Sequence, residues 1–242
     1  RTKSNVILRE LALVPGDVFD LVRMKNSQKR LENTGFFDEV NFKTSTTPEK
    51  PDIMNVDIVV KERNTGSIQL GAGYGSATGF SLNGSVNQSN FLGKGQQLGA
   101  GLNLNRDGNY YNFNFTEPYF MDTEWRVGFD IYQSNSSHYE YLETKTGGAV
   151  RFGHPLGDDL VGSIRYKYDK TKLEAVRDTA GVLLTDLDLF PLDTASGETS
   201  SITGILEYDK RNDRFSPTKG VYASTSLEYA GVGGSLKYTK GN

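Results

Sequence analysis

At Gly66 the pattern of the chain changes, and the residues beyond it limit the fold more than any other feature. From residue 67 on, apolar and polar residues alternate with period two, in stretches about ten residues long. Residues 67–75 set Ile68, Leu70, Ala72 and Tyr74 against Ser67, Gln69, Gly71, Gly73 and Gly75. Residues 97–105 set Leu98, Ala100, Leu102 and Leu104 against Gly99, Gly101, Asn103 and Asn105. The same alternation recurs over 80–87, 111–116, 125–132, 148–152, 162–168, 202–208 and 221–229, and a tenth stretch begins near 235–239. The polar positions include Arg126, Asp130, Arg151, Arg165, Lys167 and Glu228, so one face is apolar and the other charged.

A soluble sandwich and a bilayer-spanning barrel both produce such strands. Three features favour the barrel. The stretches have about the 9–11 residues that cross a bilayer at a tilt. Tyr110, Tyr119, Phe120, Trp125, Tyr139, Tyr141, Tyr168 and Tyr208 are placed near strand ends. No helical layer comes after residue 66 to cover the sheet. Loop parity then puts the segments 134–143 and 171–201 on one side. The segments 88–95, 117–124, 153–159 and 210–220 fall on the side of residues 1–66. The second of the far loops, near thirty residues, is long for an ordinary connection.

Composition agrees with strands and turns. Of 242 residues, 27 are Gly, 13 Tyr and 13 Phe. The absence of Cys excludes disulfides and thiolate metal sites, and two His leave no His-rich metal site. A net charge of −3 argues against a nucleic-acid partner bound by bulk charge. No run approaches the ~18 apolar residues of a membrane helix.

Residues 1–66 read differently, as a small α+β unit. Ser4 is placed to cap a short helix carrying Ile7, Leu8 and Leu11. Asp20 caps a second helix running to Asn33, with Leu21, Met24 and Leu31 on one face. Gly35 fits the position just past its end. Strands are expected near 38–46 and over 53–62, with Pro48 and Pro51 in the turn between them. Two helices and two strands make a thin core, so a further strand is expected upstream.

Few motifs carry chemistry. Residues 73–79, Gly-Tyr-Gly-Ser-Ala-Thr-Gly, have one residue too many for a dinucleotide loop and join two strands, which reads as a hairpin turn. Gly93-Lys94-Gly95 lacks the upstream glycine of a phosphate loop. His138 and His154 have no nucleophile at a telling spacing and read as loop residues. Asp186 and Asp188 offer carboxylates for calcium, but their leucine-rich surroundings read better as a solvated loop. Asn83, Asn87, Asn114 and Asn135 open N-x-Ser/Thr triplets that an Asn-rich sequence produces by chance. No enzyme constellation is present, so no catalytic residue, cofactor or metal is expected. The glycines Gly71, Gly73 and Gly75 have two readings. One is crowding inside a barrel wall, the other a weak edge able to pair with a foreign strand.

Together these residues resemble the BamA family of outer-membrane β-barrel assembly proteins. The run Arg30-Leu31-Glu32-Asn33-Thr34-Gly35-Phe36-Phe37 and the run Val56 to Gly66 resemble the last POTRA domain of that family. The second run leads into Gly71-Ala72-Gly73-Tyr74-Gly75, as in the family's first barrel strand. Asn90-Phe91-Leu92-Gly93-Lys94-Gly95 and Glu117-Pro118-Tyr119-Phe120 resemble its first two periplasmic turns, and Asp213-Arg214-Phe215 with Pro217-Thr218-Lys219-Gly220 a later one.

The resemblance implies an α+β POTRA domain over 1–66, followed over 67–242 by nine to ten antiparallel strands of an outer-membrane β-barrel, incomplete in this chain. It implies integral residence in a Gram-negative outer membrane, with the POTRA domain in the periplasm. It implies a lateral gate at which unfolded outer-membrane proteins pair with the exposed first strand, carried here by Ser67, Ile68, Gln69, Leu70, Gly71, Ala72, Gly73, Tyr74 and Gly75. The expected partners are periplasmic lipoproteins of the assembly complex, client proteins and outer-membrane lipid. The strand holding Ile53, Asn55, Val56, Asp57 and Ile58 is an edge for partner or client addition. Arg126, Asp130, Arg151, Arg165, Lys167 and Glu228 face the lumen. The alternative is a two-partner secretion pore exporting one dedicated protein.

Overall fold

A computed structural model describes residues 1–47, 50–76, 79–138, 141–175, 196–212 and 217–241. The chain divides into two compact units. One is Arg1–Ser67 with Gln88–Gln97, the other Ile68–Asn87 with Leu98–Asn242.

In the first unit, helix α1 spans Ser4–Leu8 and helix α2 spans Leu21–Asn33. Ser4 is not the cap of α1. That position belongs to Lys3, in extended conformation and without a side-chain cap bond. The Lys3 main chain is fixed instead by its own amide, which donates to the Gly93 carbonyl at 2.8 Å. Asp20 caps α2 as its sequence position predicts, accepting from the Val22 and Arg23 amides at 2.7 and 3.3 Å. Gly35 comes after the C-cap Thr34 with φ +70°, the left-handed conformation that glycine adopts without a Cβ clash.

Leu31 and Ser27 form the buried face of α2, and Leu21 stands half exposed. Ten residues at 3.6 per turn place Leu21 about 80° round the helix from Leu31, which takes it off the core. Strands β1, Phe37–Thr47, and β2, Lys50–Glu62, pair antiparallel, with Val40 opposite Val60 and Phe42 opposite Ile58. Val6, Leu31, Phe36, Phe37 and Val40 make the core, with Ile7, Leu11, Phe42, Ile58 and Val60 packed against it.

The remaining strands are β3 (Gly66–Gly75), β4 (Gly79–Phe91), β5 (Gln96–Asn105), β6 (Gly108–Glu117) and β7 (Arg126–Ser137). They continue with β8 (Tyr141–Pro155), β9 (Leu160–Ala175), β10 (Gly197–Asp209), β11 (Tyr222–Ala230) and β12 (Tyr238–Gly241). All ten form one open sheet in chain order, with β3 and β12 at its edges.

The hairpins reach further than the alternation suggests. Segment 134–143 is not a long loop, because β7 and β8 stay paired up to Ser137 opposite Leu142. Serines, asparagines and charged residues occupy both faces there, so period two fades while the ladder continues. Tyr168 consequently sits inside β9 and not at its end. The tenth strand starts at Tyr238, because Ser235 is held in the preceding turn by the Glu198 carbonyl at 2.7 Å. Much of 171–201, with Asp186 and Asp188, lies outside the described residues, as do 213–216 and Tyr139.

Candidate functional site

Three surfaces carry the candidate residues. The first is the edge strand β3. Among the described residues β3, which holds Ser67 through Gly75, has a sheet neighbour on one side only, β4. Strand pairing on the free side needs no particular side chain, only the unpaired row of amides and carbonyls. The side chains of Ile68, Leu70 and Tyr74 are 74, 83 and 82 % exposed. Gly71 and Gly73 lie close to β4. A Cβ on either would meet Asn83 Oδ1 at 3.1 Å or Ser81 Oγ at 3.2 Å. Gln69, Gly71, Asn83, Gly101 and Asn112 line a shallow depression behind this edge.

The entrance to β3 is pinned. Thr65 Oγ1 donates to Gln88 Oε1 at 2.6 Å, and the Ser89 amide donates to the Thr65 carbonyl at 3.1 Å. The β4–β5 turn is fastened to the N-terminal segment of the same unit. Asn90 Nδ2 donates to Thr2 Oγ1 at 2.8 Å, and the Gly95 amide donates to Asn90 Oδ1 at 2.7 Å. Gly93 lies so close that a Cβ would fall 2.1 Å from the Arg1 carbonyl oxygen. The Thr2 amide in turn donates to the Glu62 carboxylate and holds its pKa below the ordinary carboxylate value.

The second surface is β2. Its partner is β1 alone, so one of its edges is unpaired among the described residues. Val56 and Ile58 turn half-buried toward the helices, while Ile53, Asn55 and Asp57 are exposed.

The third is the polar face of the sheet. Cross-strand register gathers Asp130, Arg151 and Arg165. Arg151 Nη2 lies 3.0 Å from Asp130 Oδ1 and donates to Thr116 Oγ1 at 3.1 Å, and Arg165 Nη2 lies 3.8 Å from Asp130 Oδ2. Lys167 joins a second group centred on Asp169, at 2.7 Å, with Lys145 at 3.8 Å and the Tyr132 hydroxyl donating to the same carboxylate. Glu228 accepts from the Tyr238 hydroxyl at 3.2 Å. Arg126 shares the face through its pairing with Gly153 but is exposed.

Asp169, 2 % exposed, is the residue that sequence reasoning missed. Its signal was present, two positions after Lys167 in the same period. Gly147 makes room for it. A Cβ there would fall 2.1 Å from Asp169 Oδ1 and 2.8 Å from the Tyr132 ring.

The opposite face is apolar without interruption. Phe113 faces Ile131, Phe129 faces Val150, Val150 faces Tyr166, and Ile202 faces both Tyr166 and Tyr229. Most of these are more than a third exposed. A patch of this extent far exceeds what water-facing surfaces carry and matches a hydrocarbon solvent.

Comparisons with known proteins found matches along most of the chain. An Omp85 superfamily domain matches residues 90–242, and a POTRA model, described as a surface antigen variable number repeat, matches residues 1–63. An outer membrane protein assembly factor BamA from Nitratidesulfovibrio vulgaris is 27 % identical over 244 residues, covering 99 % of this chain and 30 % of that protein. The crystal structure of BamA from Haemophilus ducreyi lacking POTRA domains 1–3 matches 96 % of the chain and 46 % of that structure, with a TM-score of 0.69 at 24 % identity. CdiB from Acinetobacter baumannii matches 100 % of the chain and 44 % of that structure, with a TM-score of 0.58 at 13 % identity. At these identities the two structures speak to fold alone. The chain spans about a third of the length of the curated relative.

Proposed function

Because the chain belongs to the Omp85 superfamily, of outer-membrane proteins with periplasmic POTRA domains, we propose that it is the POTRA-linked first half of a barrel that assembles other β-barrels into the outer membrane. The observation that carries this reading is that β3 has β4 as its single neighbour among the described residues. Its free row of backbone groups is a template on which an incoming strand gains a full ladder of hydrogen bonds inside a medium that offers none. No nucleotide or metal is needed. Client burial and strand pairing supply the free energy. The relative from Nitratidesulfovibrio vulgaris, an assembly factor by name, supports the same reading.

The polar face supports the template mechanically. Its ion pairs run across β7, β8 and β9 and tie those strands into one wall. The expected partners are unfolded client barrels and periplasmic lipoproteins, the latter met through residues 1–66 with the β2 edge as an addition site. A second reading, a pore exporting one dedicated protein, draws on the likeness in fold to CdiB.

Depletion of the full-length protein separates the two. Heat-modifiable gel mobility of several unrelated outer-membrane barrels should show a broad loss of folded forms. Loss of one exported protein with the other barrels intact would replace the assembly reading by the pore.

A further inference from the structure

We propose that Gln88 is a positioning residue that sets the register of β3 against β4, and with it the alignment that a strand pairing with β3 would take. The consequence for clients rests on the template reading of β3, whereas the register does not. Strands β3 and β4 keep one offset along their length. Gly66 lies beside Gln88, Leu70 beside Gly84, Gly71 beside Asn83 and Gly73 beside Ser81. The residues above the entrance give that offset little support. A slip of two residues re-forms the backbone ladder, sets Leu70 opposite Val86 and Gly71 opposite Ser85, and so leaves each face as it was. Gly71, Gly73 and Gly75 bring no side chain to interlock, and glycine-rich strands are weakly fixed in register. Leu70 rests in the notch of Gly84 but is 83 % exposed and not enclosed by it. Ser81 Oγ donates to the Gly73 carbonyl at 3.4 Å, well beyond the usual hydroxyl distance. Elsewhere in the sheet charge marks the register, as where Asp130 holds Arg151 and Arg165 across β7, β8 and β9.

For β3 and β4 the mark lies at the entrance. Gln88 Oε1 accepts from Thr65 Oγ1 at 2.6 Å and from the Asn90 amide at 3.2 Å. Beside it the Thr65 carbonyl accepts from the Ser89 amide at 3.1 Å and from Ser89 Oγ at 3.2 Å. A slip of two residues puts Phe91 or Asn87 where Ser89 stands and parts Thr65 from Gln88, so the bonds to Thr65 are lost together. Each is worth about 0.5–1.5 kcal/mol, and no equal bond replaces them in the slipped pairing. Gln88 is itself held in place. Asn90 Nδ2 donates to Thr2 Oγ1 at 2.8 Å, its Oδ1 accepts from the Gly95 amide at 2.7 Å, and its carbonyl accepts from the Gly93 amide at 3.1 Å. With its amide on Gln88, all four polar groups of Asn90 are committed. The Gln88 carboxamide is therefore oriented by a residue that cannot shift without unfastening the turn.

The test uses the full-length protein in outer membranes, freed of any cysteine outside this cysteine-free segment. Oxidative cross-linking of Gln69→Cys with Ser85→Cys reports the observed register. Gln69→Cys with Asn87→Cys or with Asn83→Cys reports a slip of two residues either way. Heat-modifiable mobility verifies folding. With Gln88 intact the first pair should form and the other two several-fold less. Gln88→Leu, which keeps the length of the side chain without its oxygen, should raise a slipped pair several-fold at the expense of the first. Gln88→Glu keeps an acceptor for Thr65 and should restore the original ratio, which a merely space-filling role would not explain. If Gln88→Leu does not fold, Thr65→Val removes the same bond and Thr65→Ser returns it. Unchanged cross-linking ratios in the folded variants overturn the proposal. Folded client barrels, measured in the same cells, test the template reading separately. A slipped cross-link with clients assembled normally supports the register clamp and counts against templating by β3.

Discussion

The two units solve opposite problems with the same kinds of side chain. In the first, Leu31, Val6 and Phe37 are buried and the charged residues lie outside. In the sheet, Asp169 is 2 % exposed while Leu70 is 83 % exposed. The inversion teaches that burial depends on the solvent. Water drives leucine inward in one unit, and lipid removes that drive in the other. The sheet is then held by its ladder of backbone bonds and by the polar face.

The sharpest way to break the comparison is to exchange which residue matters. Asp169→Ala leaves Lys167 and Lys145 facing each other without a counter-charge. Both lysines keep part of their side chains in solvent, so the cost falls below the about 3–5 kcal/mol of a fully buried broken pair. Heat-modifiable mobility should show the folded barrel melting at clearly lower temperature, whereas an unchanged melting temperature would deny the polar face its role. Leu31→Ala should cost the first unit about 2–5 kcal/mol and leave barrel melting untouched, as pulse proteolysis of the periplasmic unit against gel mobility would read. By contrast Leu70→Ala, deleting an equally large side chain from the lipid side of β3, should change neither measurement by more than about 0.5 kcal/mol. Leu70→Pro removes a backbone donor from β3 and should lower client assembly more than it lowers this protein's own level.

Much of this contrast was legible in the chain. Alternation marked nine of the ten strands because one side chain in two must face lipid, and a one-residue slip would reverse the whole face; the short tenth, Tyr238–Gly241, was placed a few residues early. The cap at Asp20 and the glycine at Gly35 were legible because both depend on residues a few positions away. Leu21 misled because helical phase drifts over ten residues. The strand ends of β7 and β8 were hidden where both faces are polar. The attachment of the β4–β5 turn to Thr2 and Lys3 was hidden for another reason: it joins residues about ninety apart through backbone and amide groups, which leave no pattern in sequence.

That attachment offers a smaller test. Gly93 has φ +71° and faces the Arg1 carbonyl. Gly93→Ala combines left-handed strain of about 1–2 kcal/mol with a main-chain clash, so the Lys3 amide should lose its acceptor. Hydrogen exchange at Lys3 should quicken while exchange in β8 and β9 stays slow. Equal protection in the variant would mean that the turn is carried by its own bonds, Gly93 to Asn90 and Lys94 to Phe91.

Glu62 supplies the smallest effect and tests whether the first unit behaves as a water-solvated body. Its carboxylate accepts from the Thr2 amide, and that bond lowers its pKa from the ordinary value of 4.5. A carboxylate with a folded pKa below its unfolded one stabilises fully above the unfolded value, and the contribution is lost as pH falls through the folded pKa. The window therefore opens near pH 4.5 and extends downward. Pepsin cleavage of the N-terminal segment should rise as pH drops from 5 to about 3, and Glu62→Gln should begin higher and rise less. Parallel curves for the two proteins would show that Glu62 does not hold Thr2.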